Sequence, residues 1–272
     1  KEVLAKYSPE VRTFPVIRTE PELGVISSVV DHPPIGERLD DAWNSDPYYE
    51  LKKGPDYDRI TSSEEVGDYP VYQGRNIYQF VHDGSIFGDI EDISFWSVEE
   101  STEEVNSGKQ RIREKNLGNL KSALFDEFVE GSTSKSQKQF VNDLLNKHRG
   151  EPLSEDDVLL DSSDYRIFYR FITRATDERT FMASVVPPNV VSLHSIYTIR
   201  PFEINPKKDD LSEKPLHSAY DRAFTDEELL AATGLLNSIP FDFIMRTKVN
   251  KEIYQYTFKE TQVPRLTDSD DW

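Results

Sequence analysis

Cysteine is absent from the 272 residues, which excludes disulfide staples and thiolate metal sites and suits a cytoplasmic setting. Histidine is nearly as scarce. The five present, His32, His82, His148, His194 and His217, show no H-x-x-x-H or H-E-x-x-H spacing, so no metal site is expected. No apolar run approaches the roughly 18 residues of a membrane helix, and nothing resembles a signal peptide. There is no glycine-rich strand-to-helix turn of the kind that cradles a nucleotide-like cofactor. No serine sits in a nucleophile elbow, so neither His82-Asp83 nor His194-Ser195 extends to a hydrolase triad. Cations are outnumbered too: 32 Lys and Arg stand against 50 Asp and Glu. The resulting net charge of −18 counts against polyanion binding by the chain as a whole.

What is present is enough to fold. Apolar residues make up 36%, with 15 Phe and 13 Tyr, so a sizeable core can be buried in one large domain or two small ones. The chain starts on Lys1, not Met, and a piece of a longer polypeptide is expected. Charge is unevenly spread. Between Val105 and Arg149 nine Lys or Arg face five acids, a local surplus of four. Acids crowd Glu37 to Asp68, Glu91 to Glu104, Asp209 to Glu228 and the Asp268 to Asp271 tail, mostly as a solvated coat.

Short strands and helices alternate along the chain. Residues 1 to 18 read as linker-like, with Phe14 to Ile17 a short strand candidate. Leu23, Ile26 and Val30 at helical spacing predict a helix over Glu20 to Asp31, and Pro33-Pro34 stops it. Tyr69 to Phe80 reads as two strand-like runs, Val71-Tyr72 and Ile77 to Phe80. They hinge at Gly74, where the missing side chain admits a close partner. Ile93 to Val98 is a further strand candidate. Leu117, Leu120, Leu124 and Phe128, then Phe140, Leu144 and Leu145, predict two helices broken at Gly131 to Ser134. Their basic faces suit phosphate contact.

The stretch from Tyr165 to Pro187 organises the rest. Tyr165, Ile167, Tyr169 and Phe171 fall on one face of a period-two pattern, and Arg166, Phe168, Arg170 and Ile172 on the other. A polar turn at Ala175 to Glu178 leads to a second strand, Phe181 to Val186. Val190 to Ile199 is a third strand, and Pro201 to Pro215 a flexible or inserted loop. Thr225 and Glu228 form a capping box for a helix whose apolar body is Leu229, Leu230, Leu235 and Leu236.

Several of these stretches carry a resemblance. Arg166 to Thr180 is similar to the R-x-x-x-R-x-I-x-x-A-T-[DN]-E-R-T segment in the specificity region of TaqI-like and type IIG DNA adenine methyltransferases. Tyr69 to Phe80, Y-P-V-Y-Q-G-R-N-I-Y-Q-F, resembles the [LP]-[LV]-Y-x-G-[KR]-x-I-x-Q-F signature that opens that region. Phe95 to Val98 resembles its Tyr/Trp-Trp-Val element, and Trp43 to Tyr48 matches its entry strand in part. Leu235 to Ser238 with Phe241 to Arg246 looks like the L-L-N-S-x-x-x-[DN]-[FY]-x-x-R helix pair. Gln262-Val263-Pro264 stands where the family has L-P-[VI]-P, with the first proline missing.

The resemblance implies an α+β target recognition domain with a mixed sheet and flanking helices, spanning residues 43–272 with a helical insertion at about 105–150. Residues 1–42 would lead in from an upstream methyltransferase catalytic domain. It implies duplex DNA as partner, and S-adenosylmethionine as cofactor of the parent enzyme alone. The parent would be a restriction-modification or phage-defence N6-adenine methyltransferase, with or without a fused nuclease. This chain has no [DN]-P-P-[YF] tetrapeptide, since D-H-P-P-I at Asp31 to Ile35 has the wrong spacing, so no catalytic residue is expected in it. Side-chain chemistry makes Arg75, Arg170, Arg174 and Arg179 the first candidates for DNA contact, followed by Gln73, Gln79, Thr176 and Thr180. Arg170 and Arg179 recur in the family whatever the target. A base contact, a phosphate contact and an internal ion pair with Asp177 or Glu178 therefore all stay open. Specificity residues are expected in Asp83 to Asp92 or Asn189 to Ile199. A second class of reading is an acidic protein-interaction module, or one that mimics DNA, which the charge of −18 would suit.

Overall fold

The computed structural model describes residues 2–9, 14–52, 54–56, 60–61, 69–82, 94–96, 108–267 and 270. Among them are helices α1 (Glu2–Tyr7), α2 (Glu20–Val29), α3 (Gly108–Phe128), α4 (Gln137–Arg149), α5 (Asp226–Leu236), α6 (Ile239–Lys248) and α7 (Gln255–Lys259). The strands are short: β1 (Pro47–Tyr48), β2 (Ile60–Thr61), β3 (Tyr69–Tyr72), β4 (Ser94–Trp96), β5 (Arg166–Arg170), β6 (Ala183–Val186), β7 (Val191–Ser192), β8 (Ile196–Ile199), β9 (Phe202–Ile204) and β10 (Tyr220–Arg222). The fold is α+β. Local chemistry starts its helices: Thr19 with Glu22 and Thr225 with Glu228 each close a capping box, satisfying amide groups that the first turn leaves orphaned.

Strand β5 lies at the centre of an antiparallel sheet ordered β1-β8-β5-β6, with Arg166 opposite Val186 and Tyr169 opposite Ala183. Both of its faces are buried. Ile167 and Tyr169 join the largest core, against Leu229, Leu236, Phe241, Met245 and Phe258 of α5, α6 and α7. There the Tyr169 ring stacks on Phe181, Tyr197 and Phe258 at centroid distances of 5.2, 5.3 and 4.6 Å. On the opposite face Phe168 packs with Val186, Ile196, Tyr72 and Ile77. A second, mixed sheet runs β2-β4-β3-β7, with β3 and β7 parallel. Glu50 ties the two sheets together: its carboxylate accepts from Arg166 Nη2 of β5 at 3.0 and 3.1 Å and from the Ser192 amide of β7 at 2.7 Å. The β9–β10 pair and Leu211, Leu216 and Ala219 pack on α3 and α4 through Leu120, Leu124, Val141 and Leu145.

Several expectations change. Phe14 to Ile17 is not a strand. Phe14 and Val16 are exposed and Pro15 removes a ladder donor, while the helix of this region is α1, whose Tyr7 is fully buried. Tyr7 packs with Ile26, Val30 and Ile244, so α1 and α2 rest on α6. Val190 to Ile199 is two strands in different sheets, because a turn closed by the Ile196 amide on the Leu193 carbonyl (2.8 Å) swings the chain across. Ile77 to Phe80 is a turn, not a strand. The 201–215 segment is packed through Leu211, not loose, and Leu230 faces solvent outside the core of α5. Ser94–Trp96 forms β4 as expected. Asp83 to Asp92 and Val98 lie outside the described residues.

Candidate functional site

The β5–β6 connection is held by side chains from α6. Asp242, 5% exposed, accepts the amides of Thr180 at 2.7 Å and Phe181 at 2.8 Å. Arg246 grips the Ala175 carbonyl through Nη1 (3.0 Å) and the Glu178 carbonyl through Nη2 (2.9 Å), and pairs with Asp242. Within the loop, Asp177 accepts the Arg174 amide at 2.9 Å, and its own amide donates back to the Arg174 carbonyl at 3.1 Å. This is the side-chain turn that Asp favours. The loop therefore turns Asp177 and its backbone carbonyls inward and leaves Arg174, Thr176 and Glu178 exposed.

Beside it lies the segment from Gln73 to His82. The Gly74 amide donates to Ser195 Oγ at 2.8 Å, and Asn76 Oδ1 accepts the Gln73 amide at 2.8 Å, closing a single 3-10 turn that carries Arg75 into solvent. A Cβ on Gly74 would meet nothing nearer than 3.5 Å, so the glycine is not sterically demanded and the expected hinge is an ordinary turn. Next comes a tight reversal in which Tyr78 and Val81 bond to each other, with Gln79 and Phe80 at its tip. Gln79 Nε2 donates to the Asn237 carbonyl (3.1 Å) and the Phe80 amide to the Ala183 carbonyl (3.0 Å). Asn237, at the end of α5, in turn brackets Ala183 with both atoms of its amide, at 3.0 and 2.9 Å.

Of the sequence-derived candidates, Arg75, Arg174 and Thr176 are exposed, and Gln73, Gln79, Arg170 and Arg179 are half-buried. Thr180 is fully buried, and its hydroxyl donates to the Arg174 carbonyl (3.3 Å). Arg179 pairs at 3.9 Å with Asp242, and neither Asp177 nor Glu178 is the partner expected for it. Arg170 is short of partners. Its Nη1 touches Met182 Sδ at 3.2 Å, its buried Nε has no acceptor, and burial pushes its guanidinium below the ordinary arginine range, against Asp177 and Tyr78. Sequence reasoning assigned no role to Asn237, Asp242 or Arg246, although all three fall on polar positions of the L-L-N-S-x-x-x-[DN]-[FY]-x-x-R pattern. It also left out Phe80.

The basic helices are committed elsewhere. Arg111 and Lys115 pair with the buried Asp56, Arg113 with Asp156, Lys135 with Asp143, and Arg149 with Asp157, so five of the nine cations counted there are held within the chain. Arg200, likewise, stacks on Tyr48 at 3.7 Å and bonds Asp46, Asp161 and Asn116. Among the described residues no three His, Asp or Glu converge to hold a metal ion, and no helix is long and apolar enough to cross a membrane. No protein-family model matches the chain, and no curated protein is similar enough to count as a relative.

Proposed function

We propose that this chain is the target recognition part of an N6-adenine DNA methyltransferase. It would read duplex DNA while a separate catalytic part, in the same cytoplasmic polypeptide, holds S-adenosylmethionine. One observation carries the reading. The stretches resembling that family, 69–80, 166–180 and 235–246, are far apart in sequence and are joined by hydrogen bonds, through which Asn237, Asp242 and Arg246 brace the two loops. Rigid loops of this kind suit recognition, since a group already in place loses little freedom on binding. Arg75, Arg174 and Thr176 stand outward there, beside the half-buried Arg170 and Arg179. Arginine and threonine can serve phosphate oxygens and base edges alike.

The charge of −18 supports a second reading, an acidic module that offers its carboxylates to a DNA-binding protein. Selection of a randomised duplex pool on the purified chain at low salt separates the two. Recognition predicts enrichment of a short sequence and a log Kd that rises with log salt, with a slope reflecting about three to five phosphates. Retention of no duplex, with capture of basic DNA-binding proteins instead, overturns the first reading and favours the second.

A further inference from the structure

The tip of the 78–81 reversal combines three features that packing alone does not require. Phe80 has a φ of +61°, a left-handed conformation that bulky side chains avoid. The residue is 63% exposed, so its side chain is not buried in compensation for that conformation. The backbone beneath it is nevertheless pinned, by the Phe80 amide on the Ala183 carbonyl and by Gln79 on the Asn237 carbonyl. A strained residue kept rigid by its surroundings points to a role outside the fold.

We infer that Phe80 is a stacking wedge. It is an aromatic face fixed in advance to occupy the gap that opens when one base leaves the duplex stack. The inference rests on the DNA-recognition reading and adds to it a residue and a ligand, the exposed face of a nucleobase. Insertion of an apolar side chain between base steps unstacks the duplex, and every base offers a π-face, so the wedge carries no sequence preference of its own.

The test compares binding of the purified chain to a short duplex, intact or carrying one central abasic site. The abasic duplex has already lost a stack, and its unstacking cost is lowest. The wild-type chain is expected to prefer it by about tenfold, from the worth of one base–aromatic stack. Phe80→Ala should abolish that preference without changing the salt dependence, because no charge is lost, and Phe80→Trp should keep it. Phe80→Gly accepts the +61° backbone freely and should melt no lower than wild type. An undiminished preference in Phe80→Ala, or a large fall in melting temperature in Phe80→Gly, overturns the wedge and leaves the DNA reading standing. If the wild-type chain binds neither duplex, the DNA reading and the wedge fall together.

Discussion

Replacing Asp242 by alanine separates what holds the β5–β6 loop from what the loop presents. The carboxylate accepts two amides, at 2.7 and 2.8 Å, from Thr180 and Phe181, both fully buried. Without it each N–H is left unpaired away from water, at about 1–3 kcal/mol apiece. Arg246 and Arg179 also lose a counter-charge, but both are partly exposed and water compensates most of that. The sum is about 4 kcal/mol. For a chain of this size that lowers Tm by roughly 10 °C, readable by circular dichroism or calorimetry. Both amides use Oδ1, so Asp242→Asn, which keeps one carbonyl oxygen, should retain both bonds, lose mainly the ion pairs that Oδ2 makes with Arg246 and Arg179, and cost well under half as much. Below its own Tm the alanine variant should still lose duplex affinity, because the 173–180 loop is no longer fixed where Arg174 and Thr176 are displayed. A loss under about 1 kcal/mol would mean that these amides find other partners, and the bracing argument would fail.

Glu50→Ala should be the most damaging single change at the sheet junction, at about 3–5 kcal/mol in urea unfolding, because it strands the fully buried Arg166 charge. Glu50→Leu with Arg166→Met should recover most of that loss, and a double variant as unstable as the single one would refute the pairing. Gly74→Ala should alter Tm and duplex binding little, within about 0.5 kcal/mol, since its Cβ meets only ordinary contacts with Ser195 and Arg170; a severe loss would mean that the turn needs glycine after all. The buried Lys248–Glu260 pair gives a pH signature. Burial pushes the Lys248 ammonium down to about 8 from 10.5, so between those values the unfolded chain binds more protons and stability rises with pH. Relative to Lys248→Met, the wild type should gain about 2 kcal/mol from pH 8 to 10, above which the raised Tyr7 hydroxyl, at about 12, opposes further gain. Parallel pH curves for the two proteins would refute it.

Structure that is decided locally was legible in the sequence, and structure decided by distant partners was not. The capping box at Thr225 and the two-faced run of β5 need only neighbours a few residues away; the box appears as read, and β5 forms over Arg166–Arg170, with Tyr165 and Ile172 at the ends of the expected run left exposed. The split of Val190 to Ile199 depends on Leu51 and Tyr72 offering β7 a second sheet, which no periodicity encodes. The site follows the same division. A family-like motif marks positions that recur whatever sequence is read, and such positions are better suited to scaffolding than to discrimination. Asn237, Asp242, Arg246, Asp177 and Thr180 do in fact spend their polar atoms on the chain itself. If the chain reads DNA, contact belongs to what this bracing leaves outside, Arg75, Arg174, Thr176 and the Phe80 ring; of these only Arg174 falls on a variable position of the motifs, and the conspicuous motif is chiefly the frame that holds them out.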